Sequence, residues 1–349
     1  MEIVDYNKII ALINEKHTLV ANLDLSFWPL YTNKKKLSYD KFLDSILLGK
    51  SGLKVTIPGN KSSKLNLKYV TVKKPDKNPG HPIVRSLEIK MSYKVQNIEA
   101  LAFNESEKTK EVKYITPKSF LQGIFEEEIS LFILALTISS GGLLDILNIS
   151  LKDNKKEFSN FFTHYPFQTD GELSWNSAIE YGWPKLKFID FEKTLKWVRF
   201  FRQEIFSSAS SRIGIALNAF TETLIDKKDL SSTLIWSMIA LESLFVEERY
   251  NKAEQININS QILLGRRKSY LNKFKDLYKT RSELLHGDLP ITGMFLKDDA
   301  TPKASSVIYQ QIDAGSFSLA ITMAAFQTFI TKDIKDYSFK NNIRFEPLS

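Results

Sequence analysis

Tyr278-Lys279-Thr280-Arg281-Ser282-Glu283-Leu284-Leu285-His286-Gly287 is the stretch on which the fold turns. At about 100° per residue, a helix from about Arg267 to His286 gathers Leu271, Phe274, Leu277, Tyr278, Leu284 and Leu285 into one apolar stripe. Gly287 and then Pro290 stop it. Arg281 falls at the centre of the stripe, where a guanidinium needs an opposite charge, a cavity or a partner chain. The preceding helix, opened by Asp229 and carried by Leu234 to Val246, has its own stripe of Leu234, Ile235, Met238, Leu241 and Phe245, and Glu242 falls inside it. Each helix carries one misplaced charge, and the signs are opposite. The economical resolution is an Arg281–Glu242 pair across the helix interface.

His286 lies five residues after Arg281, about 140° further round and at the helix end. It leaves the apolar stripe and stands one turn from Ser282. Histidine can take the 2′-OH proton of RNA or protonate a leaving 5′-oxygen. Arginine can hold the charge that grows on a pentavalent phosphorus. The same two residues also fit a structural ion pair and an imidazole capping a helix C-terminus.

Working outward, everything after about residue 190 carries helical periodicity. Asp190 caps a helix carrying Trp197, Phe200, Phe201 and Ile205 and continuing through Ile213, Leu217, Phe220 and Leu224. A last helix covers Phe317 to Lys332. Before residue 190 the pattern is mixed. Val4 to Lys16 reads as a short helix, and Leu53–Ile57, Leu65–Val72 and Val84–Val95 alternate with period two as strands. Thr116-Pro117 opens a helix to about Ile138, and loops with short strands follow through Trp183-Pro184. The expected fold class is therefore α+β: a mixed α/β domain over residues 1–190 and an all-α bundle over residues 191–349.

Composition removes several function classes. The chain has 349 residues, four His and no Cys, so disulfides, thiol nucleophiles and cysteine-based metal sites are excluded. The four His are dispersed at His17, His81, His164 and His286, and no metal or cofactor is expected. Net charge is +8, yet residues 1–120 alone carry 21 Lys+Arg against 12 Asp+Glu. A basic N-terminal third suits a phosphate-bearing partner or a lysine-rich solvated surface. The acidic start Met1-Glu2-Ile3-Val4-Asp5 does not read as a secretion signal. The longest apolar run, Ile129 to Ile138, is shorter than the roughly 20 residues of a membrane span. A buried helix, no membrane and a cytoplasmic location are the expectations.

Two further motifs bear on phosphate chemistry. Gly49-Lys50-Ser51 lacks the earlier glycine of a phosphate-binding loop, because Asp44 stands there. Pro75-Asp76 followed by Glu88-Ile89-Lys90 resembles the Pro-Asp…Glu-x-Lys pattern of restriction-type nucleases, in which the two carboxylates hold Mg²⁺ and the lysine steadies water. A solvated strand face is the competing explanation for it.

Arg281-Ser282-Glu283-Leu284-Leu285-His286 resembles the Arg-x4–6-His signature of the HEPN superfamily. Ile239–Phe245, Ile258–Arg267, Leu277–Ser282 with His286-Gly287, and Arg212–Phe220 resemble its Apea-like branch in order, over roughly residues 195–335. The resemblance implies an all-helical domain that dimerises, with Arg281 and His286 of both chains lining one cleft. It implies a metal-independent endoribonuclease, with many relatives acting as toxins or in bacterial defence against phage. It makes Arg281 and His286 catalytic. Ser282 stands where relatives often have a helper Asn, and Tyr278 and Glu242 are supporting residues. RNA is the implied substrate, and the N-terminal domain is a candidate docking module for a regulatory or phage-derived partner. The rivals are a non-catalytic RNA-binding or dimerising scaffold and the Asp76/Glu88/Lys90 metal nuclease.

Overall fold

A computed structural model of the protein describes residues 16–27, 53–57, 60–70, 83–94, 117–153, 156–157, 171–225, 230–267, 271–288 and 302–339. The described residues are mostly helical, with a small antiparallel sheet, as an α+β fold requires. The strands are β1 (Lys16–Phe27), β2 (Leu53–Ile57), β3 (Asn60–Val70), β4 (Ile83–Lys94), β5 (Leu144–Asp153) and β6 (Lys156–Glu157). The helices are α1 (Pro117–Ser140), α2 (Gly171–Glu180), α3 (Phe191–Phe200), α4 (Arg202–Phe206), α5 (Arg212–Ile225), α6 (Leu230–Phe245), α7 (Lys252–Leu264), α8 (Leu271–His286) and α9 (Pro302–Lys332). Two compact units divide the chain, one of Met1–Ile133 with Asp145–Phe167, the other of Leu134–Leu144 with Gln168–Ser349.

The first unit holds a sheet of order β2-β3-β4-β1-β5-β6. β1 pairs antiparallel with β4 along its whole length, from Lys16↔Lys94 to Phe27↔Ile83. Leu19, Ala21, Leu23 and Leu25 alternate into the core, as period two demands of a half-buried strand. Sequence reasoning assigned no strand there, and its Val4–Lys16 helix lies outside the described residues except for Lys16, which opens β1. The part of α1 that belongs to this unit is buried at Phe125, Ile129 and Phe132.

The second unit is built round α9. Its Ser306–Lys332 segment is long and apolar enough to cross a membrane, yet 89% of its apolar window is buried within the protein. A helix that is apolar all round is a core helix when other helices cover it. Phe317 meets Tyr181, Trp183 and Phe274 at ring separations of 5.1, 6.2 and 5.7 Å, and Phe326 meets Trp197 and Phe220. Buried Gln327 resolves its polarity by donating to the carbonyls of Ile138 and Lys187 and accepting from Lys187 N–H. Those bonds, with Ile189 N–H donating to the Ser139 carbonyl, place residues well before 190 in the helical unit. Residues 134–144 and 168–190 thus cluster with the helices that follow them.

The expected long helix after Asp190 is three helices. Asp190 does cap the first, its carboxylate accepting from Lys193 N–H at 2.6 Å. The chain then turns at Phe201 and breaks again across Ser207–Ser211, the second break falling where serines bond the backbone locally in preference to continuing a helix. Glu204 organises the second break. Its carboxylate accepts from Ser210 N–H, Ser211 N–H and the Ser211 hydroxyl, while Ser211 Oγ accepts from Gly214 N–H as the cap of α5. Burial raises the Glu204 pKa, and the three hydrogen bonds outweigh it, leaving the carboxyl below its ordinary value.

Gly214 makes that approach possible, since a Cβ there would stand 2.2 Å from Glu204 Oε2. Glycine to alanine in a helix normally stabilises, by up to about 1 kcal/mol. Here Gly214→Ala is expected to lower the melting temperature by about 3 °C or more at neutral pH, because it expels the carboxylate. In a Glu204→Ala background the same substitution is expected to be neutral or stabilising. The lowered pKa makes the contribution of Glu204 fully present above its unfolded-state pKa and lost as pH falls through the folded value. Thermal melts of the four-member cycle at neutral and acid pH check both statements.

Candidate functional site

α8 is where the sequence placed the chemistry. Its buried face is Phe274, Leu277, Thr280 and Leu284, centred about 45° from Arg281 rather than on it. Leu285, expected in the apolar stripe, is 47% exposed. The correction has a physical cause. Buried Thr280 satisfies its hydroxyl by donating to the Asp276 carbonyl and accepting from Gln310 Nε2, so a polar residue occupies the core side. That rotation leaves Tyr278 and Arg281 at the edge of the face, directed at α6.

There they meet Glu242. Arg281 Nη2 stands 3.4 Å from Glu242 Oε1, the pairing that the two helical wheels require. The Tyr278 hydroxyl donates to the same oxygen at 2.9 Å. The other oxygen, Oε2, accepts from Lys252 Nζ at 2.6 Å. Glu242 is 17% exposed, Arg281 28% and Lys252 38%, so one carboxylate at the protein surface binds two cations and a phenol. Burial and then the Glu242 charge push the Tyr278 phenol far above its ordinary pKa, which keeps it protonated and a donor.

The carbonyl end of α6, beside Glu242, is tied from three sides. Arg212 Nε donates to Ser243 O at 3.0 Å, and Arg212 Nη2 donates to Val246 O at 2.9 Å. Asn259 Nδ2 donates to Phe245 O at 2.7 Å, and the Tyr337 hydroxyl donates to Leu244 O at 2.5 Å. The Arg212 guanidinium also pairs with Glu247 at 3.2 Å and lies over the Tyr337 ring. Sequence reasoning missed Lys252, Asn259 and Tyr337. It had no helix for Lys252 and Asn259 to sit on, because α7 is rich in Asn, Gln and Ser and shows little periodicity. Arg212 was visible as the first residue of the Arg212–Phe220 piece, with no role assigned to it.

His286 is exposed at the end of α8. Gly287, at φ +80°, stops the helix: its N–H donates to Leu284 O and that of Asp288 to Glu283 O, the double bond of a left-handed glycine cap. Ser282 is half-exposed. Within one chain Arg281 and His286 therefore leave α8 in directions about 140° apart. A separate cavity of about 740 Å³ lies among α2, α8 and α9, with Glu180, Asp276 and Asp313 against Lys279. Neither Arg281 nor His286 lines it, and its carboxylates oppose a phosphodiester.

Of the metal-nuclease residues, Asp76 lies outside the described residues. Glu88 and Lys90 sit in β4, opposite Asn22 and Val20 of β1, and Glu88 is half-buried. Among the described residues no group of three or more His, Asp or Glu is arranged to hold a metal ion. The chain matches no family model, no curated protein and no solved structure.

Glu242→Ala is expected to cost about 1–3 kcal/mol, since it leaves the half-buried Tyr278 hydroxyl and Arg281 without their acceptor. Arg212→Met is expected to cost a similar amount through the α6 carbonyls it abandons. Urea unfolding of the two variants measures this, and an unchanged midpoint in either would show that water replaces the lost partner.

Proposed function

We propose that the protein is a metal-independent endoribonuclease of the HEPN type, acting as a homodimer in the cytoplasm as a toxin-like effector of defence against phage. The observation that carries this is the half-exposed Arg281, aimed by Glu242 and Tyr278, on a helix that ends at exposed His286. In the proposed reaction His286 removes the proton of a ribose 2′-OH. The freed oxygen attacks the adjacent phosphorus, and Arg281 holds the charge that develops on the phosphorane oxygens. The P–O5′ bond breaks, the 5′-oxygen takes a proton, and the products are a 2′,3′-cyclic phosphate and a 5′-hydroxyl. Ser282, one turn from His286, is the candidate for orienting the imidazole or the substrate.

Dimerisation belongs to the proposal for a geometric reason. Arg281 and His286 diverge on one helix, so a phosphate touching both a guanidinium and an imidazole is served best by residues from two chains. Exposed Leu285, between them in sequence, supplies apolar area for a second copy to cover. The Arg281–Glu242 pair favours one rival, a non-catalytic RNA-binding or dimerising protein in which Arg281 is structural. A regulatory or phage-derived partner for the N-terminal unit is a further part of the proposal.

His286→Ala and Arg281→Ala are each expected to cut RNA cleavage by at least about 10²-fold, with His286→Ala folded as the wild type. A substrate with 2′-deoxyribose at the cleaved position is expected to resist, and EDTA to have no effect. Full activity in folded His286→Ala protein would favour the scaffold with a contaminating nuclease. Loss of activity on chelation would move the chemistry to Asp76, Glu88 and Lys90.

A further inference from the structure

Lys252 stands where a cation is locally unfavourable. It is the first residue of α7, next to the positive end of the helix dipole, and Asn251 before it makes no side-chain cap. Its ammonium nevertheless closes to 2.6 Å on Glu242 Oε2, the shortest of that carboxylate's three contacts. The short connection from α6 holds it there. Gln255 Oε1 accepts from Glu247 and Glu248 N–H, and its Nε2 donates to the carbonyls of Glu248 and Tyr250.

The distances rank the partners of Glu242. Lys252 takes Oε2 at 2.6 Å and Tyr278 takes Oε1 at 2.9 Å, while Arg281 reaches Oε1 through one nitrogen at 3.4 Å, beyond a strong hydrogen bond. A carboxylate with both oxygens open closes on arginine as a two-pronged fork. With Oε2 drawn to Lys252 at 2.6 Å and Oε1 shared with Tyr278, the carboxylate is turned away from that fork. The guanidinium is steered by Glu242 without being consumed by it.

We infer that Lys252 is a positioning residue that keeps Arg281 available to an RNA phosphate by holding Glu242 out of a two-pronged ion pair. The role as an RNA site rests on the ribonuclease proposed above, whereas the effect on Arg281 does not. Removing the ammonium frees Oε2, and the guanidinium folds back onto Glu242.

The test pairs two readouts in the full-length protein. The first is the rate at which phenylglyoxal, an arginine-selective dicarbonyl, modifies Arg281, followed by peptide mass spectrometry. The second is kcat/KM on single-stranded RNA. Lys252→Met, and Lys252→Gln as a second neutral variant, are expected to slow Arg281 labelling at least about threefold and to lower kcat/KM about tenfold. Lys252→Arg is expected to restore both. Adding Glu242→Gln to Lys252→Met is expected to restore labelling, because a neutral amide does not form the fork, and a merely structural lysine would not be rescued in this way. Unchanged labelling in both neutral variants, or a loss that Glu242→Gln leaves in place, overturns the inference. A wild type that cleaves no RNA while labelling follows the expected order removes the ribonuclease proposal and leaves the control of Arg281 standing.

Discussion

A helix ends with carbonyl groups that its own backbone does not satisfy, and at the end of α6 side chains from three other segments meet that constraint. The carbonyls of Ser243, Leu244, Phe245 and Val246 accept from Arg212, Tyr337 and Asn259, which come from α5, the segment after α9, and α7. Three parts of the helical unit therefore converge on one helix terminus. The convergence locates Glu242, one residue before the first of these carbonyls, more firmly than packing of α6 alone would. A guanidinium spanning several carbonyls also interacts favourably with the negative end of the helix dipole, which gives Arg212 a role that lysine, with its point charge, would fill poorly.

Two carboxylates in the unit show what such anchoring is for. Glu204 is surrounded by backbone N–H and a hydroxyl, and it closes a chain break. Glu242 is surrounded by charged and phenolic side chains from α7 and α8, and it sets their directions. The first is a local device tying residues a few positions apart. The second joins α6 to α7 and α8, beside the Asn259 bond to the Phe245 carbonyl, and it leaves the cluster of Glu242, Lys252 and Arg281 with one net positive charge at a half-exposed surface. That surplus is the physical ground for expecting an anion there.

What the sequence revealed followed from periodicity and from stop signals. α8 and its glycine cap, the Asp190 cap, β2 to β4 and the Arg281–Glu242 pairing were all legible, because each rests on a spacing or on a single strongly constrained residue. β1 was not, although Leu19, Ala21, Leu23 and Leu25 alternate, because Asn22 and Asp24 are poor strand formers and mask the signal. α2 and α7 escaped because their stability comes from tertiary partners such as Trp175 and Asn259 in the core, not from propensity. The second cation of the Glu242 cluster, Lys252, went unseen with them. A residue's partner across two elements is readable only when both elements are, and α7 was not.

The rotation of α8 fixes the directions in which Arg281 and His286 leave it. The helix must satisfy its core side through Phe274, Leu277, Thr280 and Leu284, and it must reach α6 through Tyr278 and Arg281. Those two obligations fix its rotation. His286 then follows at the helix end, about 140° from Arg281, and Gly287 turns the chain before the helix can bring another residue round. Proton transfer requires an imidazole within hydrogen-bond reach of the reacting oxygen, while charge stabilisation requires the guanidinium on the same phosphate. In the proposed dimer, a two-fold pairing of like surfaces would let the His286 of one chain serve a phosphate held by the Arg281 of the other. Under the proposed reaction, the rotation that α8 owes to its own core and to α6 is the reason a second chain is invoked, and Leu285, left exposed by it, is an apolar side chain that such a chain would cover.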